Sequence, residues 1–215
     1  MRKILSVISV LGFLSAIGFA QAQVPKTQLP VLTTSAGQSN DVNAVNIVME
    51  EAGILFDYCD VPTVEMLQAG VGLAGKESAE GFHVEVTTDL AKFPKGTPFK
   101  TVIVAIGASL KGMGASGLTV DAEEARVKKI VDHCKKNKIF IIAVHIGGAA
   151  TRGPSGSDNE RMIDSVAPFA DYIVVTKDSN KDGRFTKIAE KIKAPLTEID
   201  YALGLVDVVK KAFGV

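Results

Sequence analysis

The chain has 215 residues, 47% of them hydrophobic, and its 24 basic side chains balance its 24 acidic ones. This length and apolar content predict one domain with a well-filled core. The balanced charge argues against a nucleic-acid-binding protein, because such proteins carry an excess of Lys and Arg.

The first 22 residues have the pattern of a secretory signal peptide. Arg2 and Lys3 give a positive start, residues 4–20 are apolar or small, and Ala20-Gln21-Ala22 fits the small-x-small cleavage site. An uncleaved anchor is the alternative, but the apolar stretch is short for a span of about 20 residues. We therefore predict cleavage after Ala22, export to the periplasm or the medium, and no membrane attachment afterwards.

After a polar lead-in at residues 23–30, apolar runs alternate with helical patterns along the rest of the chain. Strands are predicted at residues 31–35, 54–59, 82–87, 101–106, 139–144, 171–176 and 196–199. Helices are predicted from residue 40 to about 52, at 62–67, from a cap at Thr119 to about 136, and at 159–166, 185–193 and 203–213. Residues 107–117 are predicted to be a glycine-rich loop.

Such alternation requires crossover connections and a parallel sheet covered by helices on both faces. We predict one α/β domain over residues 31–215. Its architecture would be a three-layer α/β/α arrangement around a doubly wound, mostly parallel sheet, flavodoxin-like or Rossmann-like.

Four strands run into polar loops that contain glycine, at residues 35–40, 107–117, 145–157 and 177–183. Because parallel strands end at one edge of the sheet, these loops should converge there, where ligands bind in such folds. Each leads toward a helix start, whose free N–H groups favour an anion. We predict binding of a small anionic or polar ligand by Ser35, Gln38, Ser39, Ser109, Lys111, His145, Gly147, Gly148, Arg152 and Lys177. The simpler interpretation is that glycine is needed only to turn the chain.

His145 is the best candidate for a catalytic group, since it directly follows a buried strand. A hydrolase that uses His145 beside Ser35 or Ser109 is an alternative function, although the chain has no G-x-S-x-G motif. A histidine held by backbone partners at a strand end is the simpler interpretation. A structural or interaction domain without a small ligand is the third alternative.

Two segments resemble cofactor-binding motifs, but neither fits its motif at every required position. Gly112 to Gly117 matches G-x-G-x-x-G, but it is separated from the preceding strand and does not open the helix, so a mobile flap is the better interpretation. Asp178, Asn180 and Asp182 match the first half of a calcium loop, but the twelfth position is Ala189 and not Glu. We expect no cofactor, and a turn in which Asp182 caps the next helix.

The two cysteines, Cys59 and Cys134, are too few for a cysteine-based zinc site. Export would permit a disulfide between them. We favour two buried free thiols, because the sequence does not bring the two residues within bonding distance.

Three segments resemble an uncharacterised bacterial family of exported proteins, a domain of unknown function. They are Leu32-Thr-Thr-Ser-Ala-Gly-Gln-Ser39, Val144-His-Ile-Gly-Gly148 and Val175-Thr-Lys-Asp-Ser-Asn-Lys-Asp-Gly183. The resemblance covers the chain from about Leu29 onward, with residues 70–98 longer than is usual. It implies the α/β fold and the same loops, and it brings no activity.

Overall fold

The computed structural model describes residues 23–79 and 81–215, so the predicted signal peptide lies outside the described residues. Within them the chain forms seven strands and seven α-helices. The strands are β1 (Val31–Ala36), β2 (Asp57–Cys59), β3 (Val84–Val86), β4 (Thr101–Ile106), β5 (Phe140–His145), β6 (Tyr172–Thr176) and β7 (Leu196–Ile199). The helices are α1 (Asp41–Glu51), α2 (Val64–Ala69), α3 (Leu110–Ala115), α4 (Val120–Asn137), α5 (Asp158–Val166), α6 (Arg184–Ile192) and α7 (Leu205–Phe213).

The strands form one sheet in the order β3-β2-β1-β4-β5-β6-β7. All neighbours are parallel except β2 and β3, where Asp57 pairs with Val86 in an antiparallel ladder. The predicted mostly parallel, doubly wound α/β sheet is confirmed.

Alternate side chains of the strands build two apolar layers, as expected for a sheet buried on both faces. On one face, strand residues such as Leu32 and Val104 pack against α2, α4, α5 and α6. On the other face, residues such as Val31 and Ile103 pack against α1 and α7. The helix α1 that follows β1 and the helix α4 that follows β4 therefore cover opposite faces of the sheet.

The predicted loop at residues 107–117 was wrong, because it contains the helix α3. Ser109 caps this helix by accepting a hydrogen bond from Gly112 N at 3.0 Å, and Met113 anchors it with 1% of its surface exposed. A Cβ on Gly112 would lie 2.7 Å from the carbonyl oxygen of Gln38. Gly112 thus allows close packing of α3 on the β1–α1 turn, whereas the prediction assigned its glycine to a mobile flap.

Two further boundaries differ from the prediction. The strand predicted from residue 54 begins at Asp57, because Ile54 N still bonds to the carbonyl of Met49 and so closes the end of α1. The predicted loop at 177–183 begins with a 3₁₀ turn, Lys177–Asn180. The predicted cap at Thr119 is confirmed, since its side chain accepts from Ala122 N at 3.2 Å.

Cys59 and Cys134 are both free and buried, in agreement with the interpretation that we favoured. Burial raises the pKa of each thiol to about 12. Among the described residues, no helix has the length and apolar character needed to cross a bilayer.

If Met113 anchors α3, the substitution Met113→Ala should lower the free energy of unfolding by about 2–5 kcal/mol, the usual cost of removing a buried large side chain. Denaturant unfolding followed by circular dichroism measures this loss. Leu110→Ala on the same helix is the matched control, because Leu110 is 66% exposed and its truncation should change stability little. Equal effects of the two substitutions would contradict the packing of α3.

Candidate functional site

The strand order reverses direction between β1 and β4. The chain leaves β1 toward β2 on one side and leaves β4 toward β5 on the other, with the connecting helices on opposite faces. In open α/β sheets, ligands bind in the crevice outside the carboxyl ends of the strands at such a switch point.

A polar cleft of about 340 Å³ opens at this position. It lies between the β1–α1 turn, the end of β2, residues 78–79 and 81–83, and α3. Its polar lining consists of Ser35, Gln38, Ser39, Asn40, Asn43, Tyr58, Asp60, Ser78, His83 and Ser116. Of the predicted site residues, the cleft therefore brings together Ser35, Gln38 and Ser39, while Ser109 caps the helix that forms one wall.

Ser35 is the most buried polar residue of the cleft. It is 1% exposed, and its hydroxyl has no hydrogen-bond partner among the described residues. Buried hydroxyl groups are normally paired, because an unpaired one costs about 1–3 kcal/mol. Ser35 is thus an unsatisfied hydrogen-bonding group in the lining of a concave surface.

Tyr58, Asp60 and His83 were missed by the sequence analysis. His83 N donates to Asp60 Oδ1 at 2.8 Å, and the rings of Tyr58 and His83 lie 5.5 Å apart. Burial raises the pKa of Asp60 above its ordinary value, against the opposing effect of the His83 N–H. The position of Tyr58 and Asp60 at the carboxyl end of β2 was the available signal, but no motif marks it.

The turn after β1 is tied down by a buried ion pair on α4. Glu123, which is fully buried, accepts hydrogen bonds from Gly37 N at 2.8 Å and from Gln38 Nε2 at 3.3 Å. Arg126 Nη2 donates to Glu123 Oε1 at 2.7 Å and to the carbonyl of Ser35 at 2.9 Å. The N–H group of Gly37, which would otherwise face an external anion, thus faces a carboxylate of the same chain.

Gly37 and Gln38 both have left-handed backbones, with φ of +87° and +54°. A Cβ on Gly37 would lie 2.5 Å from the carbonyl oxygen of Gly107, so only glycine fits there. Gln38 has a side chain in a conformation that favours glycine, which is a strained arrangement. Its hydrogen bonds to Glu123 and to the carbonyl of Asp60 hold it in place.

N–H groups of the loop after β5 also have internal partners. Asp178 accepts from Ala149 N at 2.6 Å, next to Gly148 at the start of a 3₁₀ turn, Gly148–Thr151. Glu160 accepts from Gly153 N at 3.1 Å. A Cβ on Gly147 would lie 2.8 Å from Asp41 Oδ2, so Gly147 makes room for that carboxylate. Burial raises the pKa of Asp41.

The predicted cations do not face a common cavity. Arg152 donates to Glu160 at 2.7 Å and to Asp182 at 2.8 Å, and only 12% of its side chain is exposed. Lys177 pairs with Asp200 at 2.7 Å, and Lys111 is exposed on α3. Whether any of them binds a ligand stays a prediction, but Arg152 and Lys177 already have internal partners.

The three residues of the partial calcium motif are occupied by protein contacts. Asp178 pairs with Lys181, and Arg152 holds the pKa of Asp182 down at about 2. Asn180 Oδ1 accepts from the backbone N–H of Phe185 at 2.8 Å. Asp182 accepts from Arg184 N at 3.1 Å, as expected of a residue at the start of α6, although Gly183 is the N-cap. Among the described residues, no group of three or more His, Cys, Asp or Glu side chains could hold a metal ion.

His145 is 1% exposed and lies between two loops rather than in the cleft. Its Nε2 lies 3.2 Å from the carbonyl of Thr151, which can only accept, so Nε2 carries the proton. Nδ1 therefore accepts from Ser179 Oγ at 2.8 Å. The hydroxyl of Ser179 also bonds to the hydroxyl of Thr176. The Phe185 ring packs on the imidazole, with the two ring centroids 5.2 Å apart.

Ser179 beside His145 is the closest approach to a nucleophile–base pair. Ser179 has none of its surface exposed, so a substrate has no access to its hydroxyl. Burial lowers the pKa of His145 from 6.5 to about 4, the carbonyl of Thr151 opposes this, and the Arg152 charge adds to it. Neutral His145 therefore joins the two loops as a structural group.

The sequence was compared with known families and proteins. The profile of a family described as a domain of unknown function (DUF6305) matches residues 28–213. No curated protein and no solved structure matches the chain.

Removing the carboxylate of Glu123 should destabilise the protein strongly, because it leaves the partly buried Arg126 without its partner. We expect Glu123→Ala to lower the free energy of unfolding by about 3–5 kcal/mol, the usual effect of breaking a buried ion pair. Chemical denaturation measures this value. Glu124→Ala is the matched control on the next residue of α4, since Glu124 pairs with the surface residue Arg161 and should matter little. A small effect of Glu123→Ala would contradict its role.

The buried His145 should make stability depend on pH. The unfolded chain takes up a proton near pH 6.5, whereas folded His145 takes one up only near pH 4. Its contribution is therefore complete above pH 6.5 and is lost as the pH falls from 6.5 to 4, by up to about 3 kcal/mol. In His145→Gln this part of the slope should disappear, as measured by urea unfolding at a series of pH values. An unchanged slope would contradict a buried neutral imidazole.

Proposed function

The chain belongs to the family of the DUF6305 domain, whose description assigns no activity, and we propose that it binds a small polar molecule in the cleft at the switch point. The observation that carries this proposal is the buried and unpaired hydroxyl of Ser35 within a concave, polar surface. A ligand that reaches this hydroxyl would satisfy it.

The position of the cleft supports the proposal. It lies where open α/β sheets bind their ligands, and its volume of about 340 Å³ suits a small molecule. The strained backbone of Gln38 lies in its wall, and strain of this kind is concentrated at functional sites. The buried ion pair of Glu123 and Arg126 holds this wall in one conformation before any ligand arrives.

The chemistry of the lining favours polar recognition over catalysis. Hydroxyl groups of Ser35 and Tyr58 and amide groups of Asn40 and Asn43 offer both donors and acceptors. The alternative function, a hydrolase using His145, gains no support from the geometry, because neither His145 nor Ser179 lines the cleft.

We further propose that the protein is exported, on the strength of its first 22 residues. N-terminal sequencing of the protein from the cell envelope and the medium checks this proposal. A start at Gln23 in either fraction would support it, and an intact Met1 in the cytosol would contradict it.

Ligand binding should raise the melting temperature, since a ligand at one hundred times its Kd stabilises by about 2.7 kcal/mol. We propose a thermal-shift screen with glucose, inositol, putrescine, phosphate, succinate and calcium chloride as probes. Asn43→Trp, in the first turn of α1, should block the cleft and abolish any shift seen with the wild type. Ile47→Trp is the matched control, because Ile47 lies on the same helix, is 60% exposed and does not line the cleft.

The proposal fails if no probe stabilises the wild type, or if the shift survives in Asn43→Trp. Absence of any shift would favour the third alternative, an interaction domain without a small ligand.

A further inference from the structure

We propose that the ligand of this cleft carries an amine, and that the carboxylate of Asp60 binds it. This inference rests on the proposed function, because it names the chemical class for the same cleft. It departs from the expectation of an anionic ligand, and the reason is the distribution of charge around the site.

Asp60 is the ionic anchor that the cleft offers. It lines the cleft, is partly exposed, and uses Oδ1 to accept from His83 N at 2.8 Å. No salt bridge to Asp60 is found among the described residues. A partly desolvated carboxylate without a cationic partner is best satisfied by a charged N–H donor.

The nearby cations are unable to attract an anion into the cleft. No Lys or Arg is present among the described residues that line it. Arg126 approaches the same turn, but its guanidinium is neutralised by Glu123. Lys111 is exposed on α3 and does not line the cleft.

The N–H group that could hold an anion at the switch point is also occupied. Gly37 N donates to Glu123 Oε1 at 2.8 Å, so a phosphate or carboxylate would compete with an internal carboxylate. His83, the remaining basic residue of the lining, pairs with Glu85 at 2.8 Å. Among its described residues, the cleft thus presents one carboxylate without a salt bridge, together with neutral hydroxyl and amide groups.

An amine-bearing molecule with further polar groups fits this arrangement. Its ammonium would bind Asp60, and its other donors and acceptors would reach Ser35, Asn40 or Asn43 across the cleft. The Tyr58 ring, which lies beside His83, gives the ammonium an aromatic neighbour at the same end of β2.

The test is a titration of the ¹⁵N-labelled protein with three classes of probe at about 0.15 M salt, where long-range attraction is screened. Ethanolamine and putrescine represent amines, glycerol and inositol represent neutral polyols, and phosphate and succinate represent anions. We expect the amines to shift the amide signals of residues 35–43 and 58–60 more strongly than the other probes.

Asp60→Asn should weaken amine binding at least about tenfold, the effect of losing one charge-assisted hydrogen bond. The asparagine oxygen can still accept from His83 N, so the local fold is kept. Asp132→Asn on the exposed face of α4 is the matched control and should bind amines as the wild type does.

The inference is overturned if anions or polyols bind in the cleft and amines do not, or if Asp60→Asn binds amines as tightly as Asp132→Asn. In either case ligand binding in the cleft survives as a function. If no probe of any class shifts these signals, the amine proposal falls together with the proposed function.

Discussion

The ion pair between Glu123 and Arg126 is the interaction on which the architecture of the cleft depends. It joins the first turns of α4 to the turn after β1, which are 86 residues apart along the chain. A buried carboxylate with a guanidinium partner and a backbone N–H is fully satisfied, whereas either ion alone would be costly at this depth. Gln38 has a strained left-handed backbone, and its hydrogen bond to Glu123 offsets part of that strain.

This arrangement changes what the carboxyl edge of the sheet can do. Loops at this position commonly offer their N–H groups to an external anion. Here Glu123 binds an N–H group of the loop after β1, and Asp178 and Glu160 bind N–H groups of the loop after β5. Hydrogen bonds to carboxylates of the same chain therefore hold the loops at this edge. The cleft lies toward β2, where Asp60 has no cationic partner.

The sequence predicted the sheet well because strand burial is a local property. Apolar runs such as that of β4 give the strand directly, and the cap at Thr119 depends on a residue only three positions away. Long-range pairing has no such local signal. Arg152 appears in the sequence as a free positive charge, and only the fold brings Asp182, 30 residues away, to neutralise it.

The same reasoning explains why the polar loops were identified and the cleft was not. The loop that contains Ser35 and Ser39 follows a predicted strand, so its position at the carboxyl edge follows from the parallel sheet. The opposite wall depends on an antiparallel edge strand, β3, and on residues 78–79 and 81–83, which no repeat or motif marks.

That wall is fixed by backbone packing. A Cβ on Gly81 would lie 2.4 Å from the carbonyl oxygen of Ala115, so this glycine lets the backbone at residue 81 pack directly on α3. The contact places Ser78 and His83 opposite the N-terminus of α1, and the resulting cleft contains residues from four separate segments of the chain. A site assembled in this way has no linear signature, and its specificity follows from which charges remain unpaired after folding.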